Sequence, residues 1–172
     1  FALFMHAMYS VDAYIRDYFR KAAVDELVRA KIPVRLVGEG WEKYESCNET
    51  YGTREKAVVF GLSFEKIAHA DVLLNVSPFF NHGAHDRIFN GMLAESAVVT
   101  DDSTYLRRTF TDGKELAMFS LKEIQSLPDR VFALFGDLAS TQQMADCGYL
   151  AARADHTWKN RAEYLLECHY ID

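Results

Sequence analysis

The stretch DVLLNVSPFFNHGAHDRIFNGMLAESAVVTDD, residues 71–102, decides the fold. It holds two short apolar runs, at 71–76 and 97–100, separated by a loop and by a segment of helical character at 84–94. Short continuous apolar runs are typical of strands that are buried on both faces of a parallel sheet. The stretch therefore predicts a strand–helix–strand unit with parallel strands.

The same alternation extends in both directions along the chain. Further strands are predicted at 1–5, 32–37, 57–60 and 116–119, and helices at 11–30, 64–70 and 104–110, with Ser10 and Ser63 as N-caps of the first two helices. Residues 41–56 are polar and predict a connection with at most one helical turn. We expect one domain over residues 1–172: an α/β, Rossmann-like, doubly wound parallel sheet with helices on both faces and a helical C-terminal tail.

The helical tail has its own start and stop signals. Ser120 and Glu123 have the spacing of a capping box, and helices follow to about His169, with breaks near Gly136 and at 155–156. Thr157 is a suitable N-cap for the last of these helices. We expect the surrounding segment to be structural, with Trp158 and Tyr164 packed on the edge of the sheet.

Composition excludes several classes of protein. The chain is 49% hydrophobic and 26% charged, which is ordinary for a globular domain. Its net charge of −6 argues against a protein that coats DNA or RNA, and no apolar run approaches the ~20 residues of a membrane span. Cys47, Cys147 and Cys168 form no CxxC pair, which favours reduced thiols. We expect a cytoplasmic protein with no nucleic-acid partner and no integral membrane segment.

The loop after the 71–76 strand carries most of the candidate chemistry. In parallel sheets of this kind, ligands bind beyond the carboxyl ends of the strands. Gly83 permits close approach of the backbone, the following helix offers unpaired N–H groups, and Arg87 adds a guanidinium suited to phosphate. Together these features suit a diphosphate. The alternative is a helix N-terminus that carries ordinary polar residues.

Other chemistries fit the sequence less well. His82, His85 and Asp86 lie close together but lack a further ligand, so we expect no metal site. No G-x-S-x-G elbow is present, and neither phosphate-binding fingerprint, G-x-G-x-x-G or G-x-x-x-x-G-K-[ST], occurs. A hydrolase of that type and a nicotinamide or ATP site of the usual type are therefore disfavoured.

Five segments, in order, resemble the C-terminal half of group 1 glycosyltransferases of the GT-B fold. They are VVFGLSFEKIAHADVLLNV at 58–76, GAHDRIF at 83–89, AVVTDD at 97–102, DGKE at 112–115 and HTWKNR at 156–161. The resemblance is greatest to the spore-maturation-protein-like branch. It covers the chain from about residue 61 to 169, and residues 1–60 fit the start of the same domain more loosely.

The resemblance implies a domain that binds a nucleotide-diphosphate sugar as donor substrate, without a separate cofactor. It places the nucleobase against the backbone of one segment and the diphosphate against the loop before the helix. The implied binding residues are Phe60, Gly61, Leu62, His82, Gly83, Ala84, His85, Arg87 and Asn90. His82 and Asn90 stand where the family has two glutamates, so the ribose would meet a neutral side chain. No catalytic residue is implied.

The resemblance also implies a partner. A GT-B enzyme has a second, N-terminal domain that binds the acceptor, and catalysis takes place between the two domains. We expect this chain to be one half of such an enzyme, excised from a longer polypeptide and inactive by itself. The replacement of both glutamates favours an alternative, a degenerate glycosyltransferase-like module that binds without catalysing. A flavodoxin-like signalling domain is a third option, but His6-Ala7-Met8 supplies no acidic cluster after the first predicted strand.

Overall fold

Helices and parallel strands alternate in the computed structural model, which describes residues 2–41, 44 and 51–169. The helices are α1 (Ala2–Arg29), α2 (Phe60–Ala68), α3 (Asp86–Leu93), α4 (Thr104–Thr109), α5 (Leu127–Gly136), α6 (Leu138–Asp155) and α7 (Trp158–His169), and a 3₁₀ helix (Leu121–Ser126) precedes α5. The strands are β1 (Val34–Val37), β2 (Gly52–Glu55), β3 (Val72–Asn75), β4 (Ala97–Asp101) and β5 (Ala117–Phe119).

Strand β4 is the centre of a three-stranded parallel sheet with the order β3-β4-β5. Leu73 of β3 lies opposite Val98, and Val99 lies opposite Ala117 of β5. All five residues of β4 are buried, as expected for the short apolar run that predicted it. Strands β1 and β2 form a separate parallel pair. The predicted parallel arrangement is therefore confirmed.

Helices cover both faces of the β3-β4-β5 sheet, and alternate residues of one strand reach opposite cores. Val99 packs in a cluster with residues of α1, α5 and α6, such as Leu27 and Met144. Val98 points the other way, into a cluster with Ile88 of α3 and Leu106 of α4. This alternation is the strand period of two, and it confirms the doubly wound α/β class.

The prediction of a buried strand at residues 1–5 is wrong, because residues 2–29 form one continuous helix, α1. A five-residue apolar run does not by itself distinguish strand from helix, and alanine, leucine and methionine are strong helix formers. Phe4 and Met5 are exposed, so neither side chain is part of the core. Ser10 does not cap the helix; its hydroxyl donates to the carbonyl of His6 within α1. Phe1 lies outside the described residues.

The second wrong prediction is the strand at 57–60. Phe60 begins α2, and Ser63 lies in the first turn of that helix, with its hydroxyl donating to the Phe60 carbonyl at 2.6 Å. The true strand is β2, which lies inside the predicted 41–56 connection. Its sequence, GTRE, is polar because only part of it is buried, so it carries no apolar signal. Residues 42, 43 and 45–50 of that connection lie outside the described part of the chain.

The helical C-terminal tail is confirmed, including both predicted breaks. Ser120 accepts from the backbone N–H of Lys122, but it opens the 3₁₀ helix, and Glu123 departs from helical geometry with φ −126°. Thr157 accepts from the N–H of Asn160 ahead of α7, as a cap should. Trp158 is 85% exposed and Tyr164 is also exposed, so the expected packing of these two rings on the sheet edge is wrong.

His156, which lies between α6 and α7, packs against α3 and not against the sheet edge. Its imidazole stacks on Phe89 of α3, with ring centroids 4.8 Å apart, and lies 5.3 Å from the ring of Phe110. Arg161 of α7 places Nη2 3.0 Å from His156 Nδ1. Burial, and then the charge of Arg161, lower the pKa of His156. The junction of α6 and α7 is therefore held to α3 by a neutral imidazole.

Within the described residues, no helix has both the length and the apolar character needed to cross a membrane.

Candidate functional site

A cleft opens at the carboxyl ends of β3 and β4, where ligands bind in sheets of this kind. Two connections form its walls: the β3–α3 loop and the short turn between β4 and α4. The cleft is small and open to solvent, and it is lined by Asn75, Ser77, Phe80, Gly83, Ala84, His85, Ile88, Thr100, Asp101, Ser103 and Leu106. Half of the polar residues among these lie at the ends of β3 and β4, and the other half lie in the two connections.

Asn75, the last residue of β3, organises the floor of the cleft. It is fully buried, and its side-chain amide donates to Thr100 Oγ1 at 3.0 Å and to Ser77 Oγ at 3.2 Å. Its Oδ1 accepts from Arg87 Nη1 at 3.0 Å. A buried amide whose donors and acceptor are all satisfied has one fixed orientation. Asn75 therefore positions the Arg87 guanidinium.

Asp101, the last residue of β4, fixes the start of the β3–α3 loop. Its Oδ1 accepts from the backbone N–H of Ser77 at 2.7 Å, and the side chain is buried. Burial raises the pKa of Asp101 to about 6, although the Ser77 hydrogen bond and the charge of Arg20 act in the opposite direction. The carboxyl group thus titrates close to neutral pH.

The turn after β4 also holds the far end of the β3–α3 loop. Ser103 Oγ donates to the Gly83 carbonyl at 2.7 Å, and the N–H of Thr104 donates to the Asn81 carbonyl at 2.9 Å. Thr104 Oγ1 lies 2.8 Å from Nδ1 of His82. Several hydrogen bonds from one turn thus fix the shape of the loop, and a loop fixed in advance loses less entropy when a ligand binds.

His85 begins α3. Its Nδ1 accepts from the N–H of Arg87 at 3.1 Å, which makes His85 the N-cap of the helix. Nδ1 also lies 2.6 Å from a carboxylate oxygen of Asp86. Burial, followed by the charge of Arg87, lowers the pKa of His85. Both contacts involve Nδ1, so Nε2 is the ring nitrogen that remains available to a ligand.

Arg87 supplies a half-buried cation beside the cleft. Its hydrogen bond to Asn75 uses one N–H of the five that a guanidinium carries, and the acceptor is a neutral amide. Burial, and next the charge of Arg20 on α1, lower the pKa of Arg87. A positive group in these surroundings is suited to an anionic ligand.

Comparison with known proteins assigns the family. The sequence matches the Glycosyl transferase-like family over residues 16–167. The chain belongs to this family. No curated protein matches the chain.

Solved glycosyltransferases share the fold of this family member. HepE from Anabaena in complex with UDP and glucose has a TM-score of 0.71 and 16% identity over 86% of this chain and 43% of that chain. For HepE in complex with UDP-glucose, the TM-score is 0.69 and the identity is 18%, over 85% of this chain and 44% of that chain. For sucrose-phosphate synthase from Thermosynechococcus elongatus, the TM-score is 0.71 and the identity is 15%, over 87% of this chain and 42% of that chain. The chain spans less than half the length of these proteins, and the predicted GT-B, group 1 resemblance is confirmed.

The structure separates the predicted site residues of this glycosyltransferase-like chain into two sets. Gly83, Ala84 and His85 line the cleft. Arg87 is not in the lining, but it donates a hydrogen bond to a lining residue, Asn75. The N–H of Gly83 donates to the Phe80 carbonyl at 3.2 Å, within the loop itself. The lining does not include Phe60, Gly61, Leu62, His82 or Asn90. Of these, the first three form the exposed first turn of α2, and Asn90 lies in α3.

Sequence reasoning missed the residues that hold the cleft together. Asn75, Thr100 and Asp101 were assigned to strands or their ends, and Arg20 was assigned to a helix. One signal was present: a polar residue at the carboxyl end of an otherwise apolar strand lies at the ligand-binding edge of a parallel sheet. The contribution of Arg20 depends on tertiary packing and has no local signature.

Among the residues that the structure describes, no group of three or more His, Cys, Asp or Glu side chains could hold a metal ion. Cys147 and Cys168 are free thiols, and Cys47 lies outside the described range.

Proposed function

We propose that this chain is the donor-binding half of a glycosyltransferase, which binds a nucleotide-diphosphate sugar for transfer of its glycosyl group to an acceptor hydroxyl. The observation that carries the proposal is the Arg87 guanidinium, fixed by Asn75 at the carboxyl edge of β3 in a chain of the Glycosyl transferase-like family. The HepE structures, which contain UDP or UDP-glucose, support a uridine nucleotide as the first ligand to test.

The chemistry of the cleft fits a leaving diphosphate. Glycosyl transfer leaves negative charge on the diphosphate as its bond to the sugar breaks. Arg87 and the N-terminal end of α3 present positive charge to that position, and such preorganised groups stabilise charge that develops in the transition state. Nε2 of His85 adds a further polar contact. The chain itself therefore contributes electrostatic stabilisation, and the acceptor is bound by the other half of the enzyme.

The replacement of both expected glutamates favours a second candidate function. Asn90 offers a ribose only a neutral amide, and the imidazole of His82 already contacts Thr104. Bonds to charged acceptors are about twice as strong as bonds to neutral ones. A glycosyltransferase-like module that binds its ligand without transferring sugar would have this pattern. A full-length protein that binds donor and transfers no sugar to any acceptor would support the module over the enzyme.

Calorimetric titration tests donor binding directly. UDP, GDP, ADP and their glucose conjugates are titrated into the chain, and Arg87→Gln is compared with wild type. We expect at least one ligand to bind, and Arg87→Gln to weaken it by about tenfold or more, because a charge-assisted contact is lost. Arg153→Gln is the matched control, since Arg153 lies on α6 and contacts Tyr149. If a folded wild-type chain binds none of these ligands, the proposal is wrong.

A further inference from the structure

A second arginine reaches the cleft from a different part of the chain. Arg20 lies on α1, and its Nε donates to the backbone carbonyl of Val76 at 3.4 Å. Val76 directly precedes Ser77, whose N–H is held by Asp101 and which lines the cleft. Arg20 therefore lies where the β3–α3 loop leaves the sheet.

From this position the charge of Arg20 acts on the other charged groups of the cleft. The charge of Arg20 lowers the pKa of Arg87 and of His85, and it also lowers the pKa of Asp101. The two guanidinium groups thus lie within electrostatic reach of one another. Like charges that are partly removed from water raise the free energy of the unliganded protein.

Within the described part of the chain, neither nearby carboxyl group takes a hydrogen bond from Arg20 or Arg87. Asp86 is exposed and contacts His85, while Asp101 is engaged by the Ser77 amide, and burial raises its pKa to about 6. In residues 2–41, 44 and 51–169, the only hydrogen bond from Arg20 uses Nε, so its two Nη groups have donors to spare. An anion with more than one charge would relieve the repulsion and use these donors.

We propose that Arg20 is a second diphosphate-binding residue, which shares the ligand with Arg87, a role that rests on the nucleotide-sugar binding proposed above. Guanidinium groups bind phosphate oxygens through pairs of parallel N–H bonds. Two of them on separate elements match the two phosphates of a diphosphate better than a single phosphate. Arg20 thereby makes the site selective for a diphosphate.

Inorganic pyrophosphate is the probe that tests this role independently of any base or sugar. Binding of pyrophosphate and of orthophosphate is measured by calorimetry for wild type, Arg20→Gln and Arg29→Gln. The control removes the same charge from the same helix, where Arg29 pairs with Glu26. We expect Arg20→Gln to weaken pyrophosphate by about tenfold or more and orthophosphate by less than about threefold, and Arg29→Gln to change neither.

Two further measurements distinguish a local effect of Arg20→Gln from a loss of structure. They are pyrophosphate binding by Arg20→Lys and the titration of His85. The lysine variant keeps the charge, and we expect it to recover most of the pyrophosphate affinity. In Arg20→Gln, the pKa of His85 followed by NMR should rise, because a neighbouring positive charge has gone. A folded Arg20→Gln variant that binds pyrophosphate as wild type does, or loses both anions equally, overturns the role of Arg20.

The same titrations separate the two proposals. If Arg87→Gln loses UDP while Arg20→Gln binds UDP and pyrophosphate normally, donor binding stands and the role of Arg20 is wrong. If no nucleoside diphosphate or its sugar binds, but pyrophosphate binds in an Arg20-dependent way, the anion site stands and the donor-binding function is wrong.

Discussion

Close packing of atoms fixes one buried region of the molecule, and a network of hydrogen bonds fixes another. Where α6 crosses α3 and the segment entering β5, Gly148 brings the helix backbone so close that a Cβ atom would lie 2.5 Å from the Glu115 carbonyl oxygen. At the carboxyl edge of the sheet, Asn75 and Asp101 are as deeply buried, but a network of polar contacts fixes them. The first region fixes the fold, and the second fixes the loop that carries the candidate site.

This difference determines how each region should respond to substitution. A packed interface responds to volume, because close-packed atoms leave no room for an added group. A polar network responds to charge and hydrogen-bonding capacity, so its substitutions change pH dependence and ligand binding as well as stability. Three substitutions test this division, in order of decreasing effect.

Gly148→Ala should be the most destabilising of the three. The new methyl group would meet a backbone oxygen and would lie 3.4 Å from Met92 Cγ, and a backbone atom cannot rotate away as a side chain can. We expect the free energy of unfolding in urea to fall by about 3 kcal/mol, despite the higher helix propensity of alanine.

Gly136→Ala is the control for Gly148→Ala. Apart from its own chain neighbours and helix backbone, no atom of the described residues lies within 4 Å of the position that its Cβ would take at the end of α5, so we expect a change below about 0.5 kcal/mol. Equal stability of the two variants would show that the α6 contact is not tightly packed.

The packed region was largely predictable from sequence, and its exceptions have a physical cause. Strands β3, β4 and β5 are apolar runs because both of their faces are buried, so their sequences reveal them. Strand β2 is polar and pairs with β1 through its backbone, which leaves no pattern in the side chains. The run at 1–5 was misassigned because residues 2–5 belong to a helix, on which Phe4 and Met5 are exposed.

The position of the cleft at the carboxyl ends of the strands was predictable, but the full set of residues that form it was not. The rule that ligands bind at the carboxyl ends of parallel strands directed attention to the loop after β3, and Gly83, Ala84 and His85 do line the cleft. The partners of Arg87 could not be read from the sequence. Asn75 is twelve residues away and Arg20 is on another element, and only the folded chain brings them together.

Asp101→Asn should alter how stability depends on pH. The pKa of this carboxyl group is raised to about 6 in the folded chain from an ordinary value near 3.8. The folded state therefore binds the proton more tightly, so the group's contribution is fully present below about pH 4 and is lost as pH rises through about 6. Asparagine can still accept from the Ser77 N–H, but it does not titrate.

We expect the stability of wild type, relative to Asp101→Asn, to fall by about 2 kcal/mol between pH 4 and pH 7. Urea denaturation at a series of pH values measures this difference. Asp102→Asn is the neighbouring control, and its carboxylate pairs with Arg107 on the surface. A constant difference between wild type and Asp101→Asn across this range would contradict the raised pKa.

Ser103→Ala should have the smallest effect on stability and a distinct effect on binding. Its hydroxyl accepts from the N–H of Leu106 to cap α4, and it donates to the Gly83 carbonyl in the β3–α3 loop. We expect a loss of about 1 kcal/mol from the cap and about threefold weaker UDP binding from the loosened loop. Ser120→Ala removes a cap far along the chain, before the 3₁₀ helix, and should leave UDP binding unchanged. If both variants bind UDP as wild type does, the hydrogen bond to Gly83 does not organise the site, and the loop must be fixed from the Asp101 end alone.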